Sequence, residues 1–132
     1  MIIISDTTPL RYLIEIQATY ILERLFGEVL IPEKVAQELQ RPKTPQPVKD
    51  WIQTRPVWLK VSKADTSLFV PKKRIGDGER EAFALAVEFE ADAVLVDDRD
   101  AAMEANSEAP DRSNSRTPGL KIITIFKTAF AY

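Results

Sequence analysis

Acidic side chains stand where two apolar segments of this sequence end. Asp6 follows Ile2–Ser5, and Asp97 and Asp98 follow Ala93–Val96; both segments have the continuous apolar character of strands buried on two faces. Ligands of open parallel α/β sheets bind at the carboxyl ends of strands, so these acids are expected at one cleft. Convergent carboxylates suit Mg²⁺ or Mn²⁺, which prefer oxygen ligands. The alternatives are a turn-forming role for Asp6 and a helix-capping role for the acid pair.

A late helix adds another inward-facing acid. On a helical wheel of the predicted Glu79–Glu90 helix, Glu79 falls inside the apolar arc, Glu81 falls at its edge, and Arg80 points towards solvent. An acid in a first turn also complements the helix dipole, which contributes about 0.3–1 kcal/mol. The dipole does not explain why this acid faces the core side. Glu79 is therefore a candidate metal ligand.

An earlier helix, predicted over Pro32–Gln40, carries Glu38 at the flank of its apolar arc. A solvated surface position is the ordinary interpretation of such a glutamate, because glutamate is rarely buried unless it is paired. Glu38 becomes a candidate site residue only in combination with the other acids. A carboxylate cluster of this kind can hold two metals about 3.5–4 Å apart and clamp the reacting oxygens of a phosphodiester.

The composition excludes the commonest alternatives to carboxylate chemistry. The 132 residues include no histidine and no cysteine. This excludes disulfides, thiolate metal sites, thiol nucleophiles, imidazole ligands and the Ser-His-Asp relay. Any catalysis must therefore use carboxylates, lysine or arginine, hydroxyl groups, or metals held by oxygen.

The distribution of charge also favours a bound cation. The net charge is only −2, but twelve acids and two basic residues, Arg80 and Arg99, lie between Asp77 and Asp111. Such a block repels the phosphates of bare nucleic acid. It becomes compatible with a nucleic-acid substrate if some of the acids hold divalent cations.

Strands and helices are predicted to alternate along one domain, residues 1–132. Predicted strands cover 2–5, 29–31, 57–61, 93–96 and 121–125; predicted helices cover 10–16, 20–26, 32–40, 48–54, 79–90 and 99–105; residues 106–118 are predicted to be a mobile loop. This order favours a three-layer α/β/α sandwich with a mainly parallel central sheet. No segment reaches the 18 apolar residues of a membrane span, and the first residues lack a basic signal region, so a cytoplasmic location is expected.

Four stretches form a pattern when they are taken in order. They are Ile-Ile-Ser-Asp-Thr-Thr-Pro-Leu (3–10), Val-Leu-Ile-Pro-Glu-Lys-Val-Ala-Gln-Glu-Leu (29–39), Gly-Glu-Arg-Glu-Ala-Phe-Ala-Leu-Ala (78–86) and Val-Leu-Val-Asp-Asp-Arg-Asp-Ala (94–101). Together they resemble the PIN-domain family, and most closely its small prokaryotic branch related to VapC-like toxin ribonucleases of toxin–antitoxin pairs. These stretches cover about half the chain, and Gly119–Phe130 resembles the family's final strand more loosely.

The resemblance implies a metal-dependent endoribonuclease, in which Mg²⁺ or Mn²⁺ lowers the pKa of water so that no histidine base is required. It assigns catalytic roles to Asp6, Glu38, Glu79 and Asp98, metal binding to Asp6, Glu79, Asp97 and Asp98, and supporting roles to Thr8 and Glu81. Asp98 aligns best with the acid after the fourth strand, and Asp97 stays an alternative. Implied partners are an RNA substrate, a small antitoxin protein and a second copy in a homodimer.

Basic residues near these acids are candidates for holding RNA phosphate. Arg11 and Arg99 are close in sequence to the predicted pocket. Lys72-Lys73-Arg74 forms a further basic patch, for which a solvated charge run is the ordinary interpretation.

Two departures from the family pattern concern the rim of the pocket and the dimer surface. Residues 106–118 look inserted, and the segment behind the final strand is shorter than the family's usual C-terminal helix. A loop of this composition is also compatible with segment exchange between subunits. The alternative function is a PIN-like nucleic-acid- or partner-binding module with weak or lost nuclease activity.

Overall fold

The apolar segments assemble into one parallel sheet in the computed structural model, which describes residues 1–71, 74–97 and 120–125. In chain order the elements are β1 (Ile3–Ser5), α1 (Thr7–Glu15), α2 (Tyr20–Phe26), β2 (Val29–Pro32), α3 (Glu33–Glu38), α4 (Gln46–Gln53), β3 (Leu59–Ser62), a 3₁₀ helix (Thr66–Leu68), α5 (Asp77–Glu88), β4 (Ala93–Asp97) and β5 (Lys121–Ile125). The predicted helix over 99–105 and the predicted loop over 106–118 lie outside the described residues.

The strand order makes β1 the centre of the sheet. The order is β3-β2-β1-β4-β5, and each described pairing is parallel, with Ile3 opposite Val29 and Ile4 opposite Val94. The chain therefore places β2 and β3 on one side of β1, and then places β4 and β5 on the other side. Such a switch point leaves a crevice beyond the carboxyl ends of the central strands, where α/β proteins bind their ligands. Asp6, which directly follows β1, lies at this crevice.

Helices cover both faces of the sheet. Ile3 packs into a core formed with α1 and α4, whereas its neighbour Ile4 packs into a second core formed with α5. Successive residues of a strand point to opposite faces, so a continuously apolar strand is what two cores require. The predicted three-layer α/β/α sandwich with a parallel sheet is confirmed. In the described part of the chain, no helix combines the length and apolar character needed to cross a bilayer.

The first turn of α5 differs from its prediction. Asp77 and Gly78 belong to the helix and are not a preceding turn, and Arg80 places a buried Nε atom where exposure to solvent was predicted. Phe89, predicted to lie in the apolar arc, caps the helix and is 39% exposed. A wheel assumes one apolar face, whereas every residue from Ala82–Val87 is buried because α5 lies against strands on one side and α3 on another.

The 3₁₀ helix was not predicted by the sequence. Asp65 caps it, because both the backbone N–H and the hydroxyl of Ser67 donate to Asp65 Oδ1, at 3.0 Å and 2.6 Å. These hydrogen bonds hold the pKa of the exposed Asp65 carboxyl below its ordinary value. Three-residue turns of this kind lack the periodicity from which longer helices are recognised.

Candidate active site

A cleft of about 320 Å³ opens at the carboxyl end of β1. Its walls come from the first turns of α1 and α5 and from the end of α3. The residues that line it are Asp6, Thr7, Thr8, Arg11, Glu38, Arg41, Gly76, Gly78 and Glu79. Three of the four predicted catalytic acids therefore share one cleft, although 32 residues separate the first from the second and 41 the second from the third.

Asp6 combines a structural role with its position in the cleft. Its backbone N–H donates to the Leu95 carbonyl at 2.9 Å, which ties the end of β1 to β4. Its Oδ1 atom accepts a hydrogen bond from the Thr7 N–H at 2.7 Å and caps α1. The residue is only 5% exposed. The capping interaction expected of a turn-forming aspartate is thus present, and the same carboxylate faces the cleft.

Glu38 is held from two sides at the end of α3. The Thr7 hydroxyl donates to Glu38 Oε2 at 2.7 Å, and the Arg41 guanidinium lies 3.8 Å from Glu38 Oε1. The Glu38 side chain is 16% exposed, far less than a solvated surface glutamate. Thr7 therefore connects two carboxylates: its backbone N–H donates to Asp6, and its hydroxyl donates to Glu38.

Gly78 leaves the space into which these carboxylates converge. A Cβ atom at this position would lie 2.9 Å from Glu38 Oε1, 3.1 Å from Thr7 Oγ1 and 3.2 Å from Asp6 Oδ1. The carboxylate oxygens of Asp6 and Glu38 therefore face one small volume beside Gly78. The distance between them cannot exceed the sum of their two distances from this Cβ position. Any side chain would fill that volume. Close approach of these side chains is a physical reason for a glycine at this position.

Glu79 follows Gly78 and lines the same cleft. It is 6% exposed, so its inward direction, predicted from the helical wheel, is confirmed. Its first-turn position also puts a negative charge near the positive end of the α5 dipole. Together with Asp6 and Glu38 it gives the described part of the cleft three carboxylates, against the two guanidinium groups of Arg11 and Arg41.

The potential metal-ligating atoms of this cleft suit a hard divalent cation. All are oxygens, and Mg²⁺ takes carboxylate oxygens at about 2.0–2.1 Å while keeping several waters. Among residues 1–71, 74–97 and 120–125, no group of three or more acids has its side chains gathered closely enough for a complete metal site. The convergence at Gly78 involves two acids, with Glu79 beside them. Asp98 lies outside the described residues. Asp97 ends β4, is half-buried, and is not part of the cleft wall.

Glu81 connects two helices and does not line the cleft. Its Oε1 atom accepts a hydrogen bond from the Lys34 N–H, in the first turn of α3, at 3.3 Å. Lys34 also pairs with Asp77 of α5, at 3.8 Å between Nζ and Oδ2. These contacts dock the helix that carries Glu38 onto the helix that carries Glu79. The contacts of Glu81 are thus between helices, and its predicted supporting role in the site stays a prediction.

We expect Glu81→Ala to lower the free energy of unfolding by about 1 kcal/mol, because an orphan N–H at the start of α3 loses its partner. Urea denaturation measures this change. Glu88→Ala is the matched control, since Glu88 is an exposed residue at the other end of α5. Equal stability of the two variants would contradict the docking role.

Of the predicted basic residues, Arg11 lines the cleft, with its Nε atom 3.0 Å from Glu15 Oε1. Arg99 and the lysines of the 72–74 patch lie outside the described residues. Thr8 lines the cleft and is exposed, whereas its neighbour Thr7 makes the hydrogen bond to Glu38.

Four cleft residues were not predicted as site residues from the sequence: Thr7, Arg41, Gly76 and Gly78. Gly78 had a usable signal, since it is a glycine directly before a predicted ligand. Arg41 had none, because its proximity to Arg11 and Asp6 depends on how α3 packs against α1. Thr7 was passed over because the family pattern assigns the hydroxyl to the position of Thr8.

A family model described as a PIN domain matches residues 2–109 of the chain. This span includes Asp6, Glu38, Glu79, Asp97 and Asp98. No curated protein and no solved structure matches the sequence.

Proposed function

Because the chain belongs to the PIN-domain family, whose fold is of the nuclease type, we propose that it is a divalent-metal-dependent endoribonuclease that hydrolyses RNA phosphodiester bonds. One observation carries the proposal. Carboxylate oxygens of Asp6 and Glu38, from separate elements, face the same small volume, which Gly78 leaves open. Concentrating negative charge beside buried Glu79 costs stability, so a bound cation gives this arrangement a physical purpose.

Asp6, Glu38 and Glu79 would hold Mg²⁺ or Mn²⁺, with Asp98 or Asp97 as a further ligand. The bound ion would supply neutralisation of phosphate charge and a lowered pKa of water. The chain's own contribution is orientation: Asp6 is fixed by the α1 N-terminus, and Glu38 is fixed by the Thr7 hydroxyl. Since the chain contains no histidine, carboxylates are its groups for accepting a proton near neutral pH.

The toxin role is the finer part of the proposal. The four motifs in family order support it, together with the resemblance to the small prokaryotic branch. In that role the protein is a homodimer that a small antitoxin protein inhibits. A gene for a small protein immediately upstream would support the pairing, and co-purification with that protein tests it directly.

The function is tested by incubating RNA with the purified protein in Mg²⁺, Mn²⁺ or EDTA. We expect cleavage that requires one of the two ions, and heat of binding when the same ion is titrated by calorimetry. Absence of both cleavage and metal binding would contradict the proposal and favour the alternative of a binding module without nuclease activity.

Thr7 provides a prediction for the orientation of Glu38. Thr7→Val keeps the shape of the side chain and removes its hydroxyl, so Glu38 Oε2 loses its 2.7 Å hydrogen bond. We expect metal affinity to fall about 10–100-fold, as is typical when a group orienting a metal ligand is removed. Calorimetric titration with Mn²⁺ measures the change.

Thr7→Ser is the matched control, because serine keeps the hydroxyl and is expected to retain most of the affinity. Equal losses in the valine and serine variants would show that the methyl group, rather than the hydrogen bond, is what matters. No loss in either variant would remove Thr7 from the site.

A further inference from the structure

The region from Glu33 to Lys63 is basic although the whole chain is acidic. It contains seven basic and three acidic residues, a net charge of +4, against −2 for the whole protein. Within this region the loop that joins α3 to α4 begins directly after Glu38. The local excess of positive charge therefore starts beside the carboxylates of the cleft.

Named contacts hold this loop against the cleft. Thr44 is buried, at 7% exposure; its hydroxyl donates to the Glu38 carbonyl at 3.3 Å, and its N–H donates to the Arg41 carbonyl at 2.9 Å. Lys49, on α4, donates from Nζ to the Pro42 carbonyl at 3.0 Å. Prolines within and after the loop restrict its backbone further. The loop thus has a defined conformation in the absence of any ligand.

Three cationic side chains lie on this loop and on the helix that follows it. The Arg41 guanidinium lines the cleft and is 62% exposed, Lys43 is exposed, and the Lys49 ammonium lies against the loop at Pro42. We use the name basic loop for this set of three side chains: Arg41 and Lys43 on the loop, and Lys49 on α4. It leads from the mouth of the cleft towards α4.

We propose that the basic loop binds the sugar–phosphate backbone of single-stranded RNA on its way into the cleft. The inference rests on the proposed nuclease function and identifies the surface that the substrate follows. Between the described residues the cleft measures about 320 Å³, at the small end of binding pockets, and a flexible single strand can place a phosphate group in it more readily than a duplex can.

The need for such a surface follows from electrostatics. The carboxylates of Asp6, Glu38 and Glu79 repel the flanking phosphates of a bound strand, and a bound cation would offset that repulsion only locally. Positive side chains at the edge of the cleft and beyond it attract those phosphates. The Arg41–Glu38 ion pair does not prevent this, because its two atoms are 3.8 Å apart and the exposed Arg41 guanidinium has other donors available.

The test compares two triple variants with the same change in charge. One replaces Arg41, Lys43 and Lys49 with glutamine. The control replaces Arg24, Lys60 and Lys121 with glutamine; these are exposed residues, Arg24 near the end of α2 and the two lysines at or near the amino ends of β3 and β5. Binding of a fluorescein-labelled oligouridine is measured by anisotropy in EDTA across a series of KCl concentrations, so that no cleavage occurs. Thermal unfolding checks that both variants are folded.

We expect the basic-loop variant to lose about tenfold or more in affinity at low salt. The slope of log K against log salt should become shallower by about 2, since each phosphate contact with a single strand contributes about 0.7. The control variant should keep the wild-type slope. An RNA hairpin duplex should bind more weakly than oligouridine.

Equal slopes for the two folded variants would overturn the proposal, and so would tighter binding of the duplex. Binding of an oligoglutamate peptide to this surface with no binding of oligouridine would also overturn it and assign the loop to an acidic protein partner. If wild type still cleaves RNA with Mg²⁺ or Mn²⁺ in those cases, the nuclease proposal stands and only the surface is wrong. If wild type neither binds nor cleaves RNA, both fail.

Discussion

Asp6→Asn is expected to reduce metal-dependent RNA cleavage by about 10³-fold or more and to leave the fold intact. The substitution removes the charge of a carboxylate that is 5% exposed and lies beside Glu38 in the cleft. Asparagine still caps a helix well, so the hydrogen bond from the Thr7 N–H can be retained. Loss of a carboxylate ligand lowers affinity for a hard cation, because Mg²⁺ in proteins depends on one or two carboxylates.

Stability should change in the opposite direction from activity. Without metal, Asp6→Asn removes repulsion from neighbouring carboxylates, so the free energy of unfolding should equal or exceed that of wild type. With metal, wild type should gain stability and the variant should not, because only a ligand bound to the native state raises its stability. Thermal unfolding with and without Mn²⁺, alongside a cleavage assay, measures both effects.

Glu79→Gln tests the second buried acid in the same way, and Glu88→Gln controls for charge removal on the exposed part of α5. Equal cleavage by wild type, Asp6→Asn and Glu79→Gln would refute the assignment of the active site. A large fall in the stability of Asp6→Asn without metal would instead show that this carboxylate serves the fold.

Gly78→Ala should lower metal affinity by about 100-fold or more with little change in stability. The added methyl group would lie within 3.2 Å of three oxygen atoms, on Asp6, Thr7 and Glu38. Glu38 can swing away to relieve the contact, which moves its carboxylate out of the shared volume. Alanine is favoured over glycine within a helix by about 0.5–1 kcal/mol, which offsets the cost of that movement. Calorimetric titration with Mn²⁺ and urea denaturation separate the two effects.

Gly76→Ala is the matched control. Gly76 also lines the cleft, but a Cβ atom there would have no atom within 4 Å. We expect this variant to bind metal nearly as wild type does. Equal metal affinity in Gly78→Ala and wild type would mean that the volume beside Gly78 is not where a cation binds. Equal loss in both glycine variants would point to the cleft rim as a whole.

Much of this fold was predictable because its signals are local. Continuous apolar segments such as Ile2–Ser5 indicated strands buried on both faces, and two separate cores around β1 confirm this. Helices with one apolar face, such as α1, were also predictable. The prediction was less accurate for α5, whose buried residues surround the helix, so a wheel based on one face misplaced Arg80 and Phe89.

The candidate site shows the same division. An acid at the end of a strand and an acid on the inner side of a helix can be recognised from their own segments, as Asp6 and Glu79 were. Glu38 could be proposed as a site residue only in combination with the other acids, since a glutamate at the flank of an apolar arc is usually solvated. Its burial here results from Thr7 and Arg41, which reach it from α1 and from the following loop.

By itself, the sequence determined the kinds of chemistry open to this protein: oxygen ligands and carboxylates, without histidine or cysteine. It also determined the layers of the fold, since the periodicity of apolar residues is a property of each segment. The tertiary structure alone decided which acids share a cleft, that Gly78 leaves room between them, and that Glu81 docks helices instead of lining the site. The physical reason is that contacts between Asp6, Glu38 and Gly78 depend on strand order and helix packing, which no local pattern encodes.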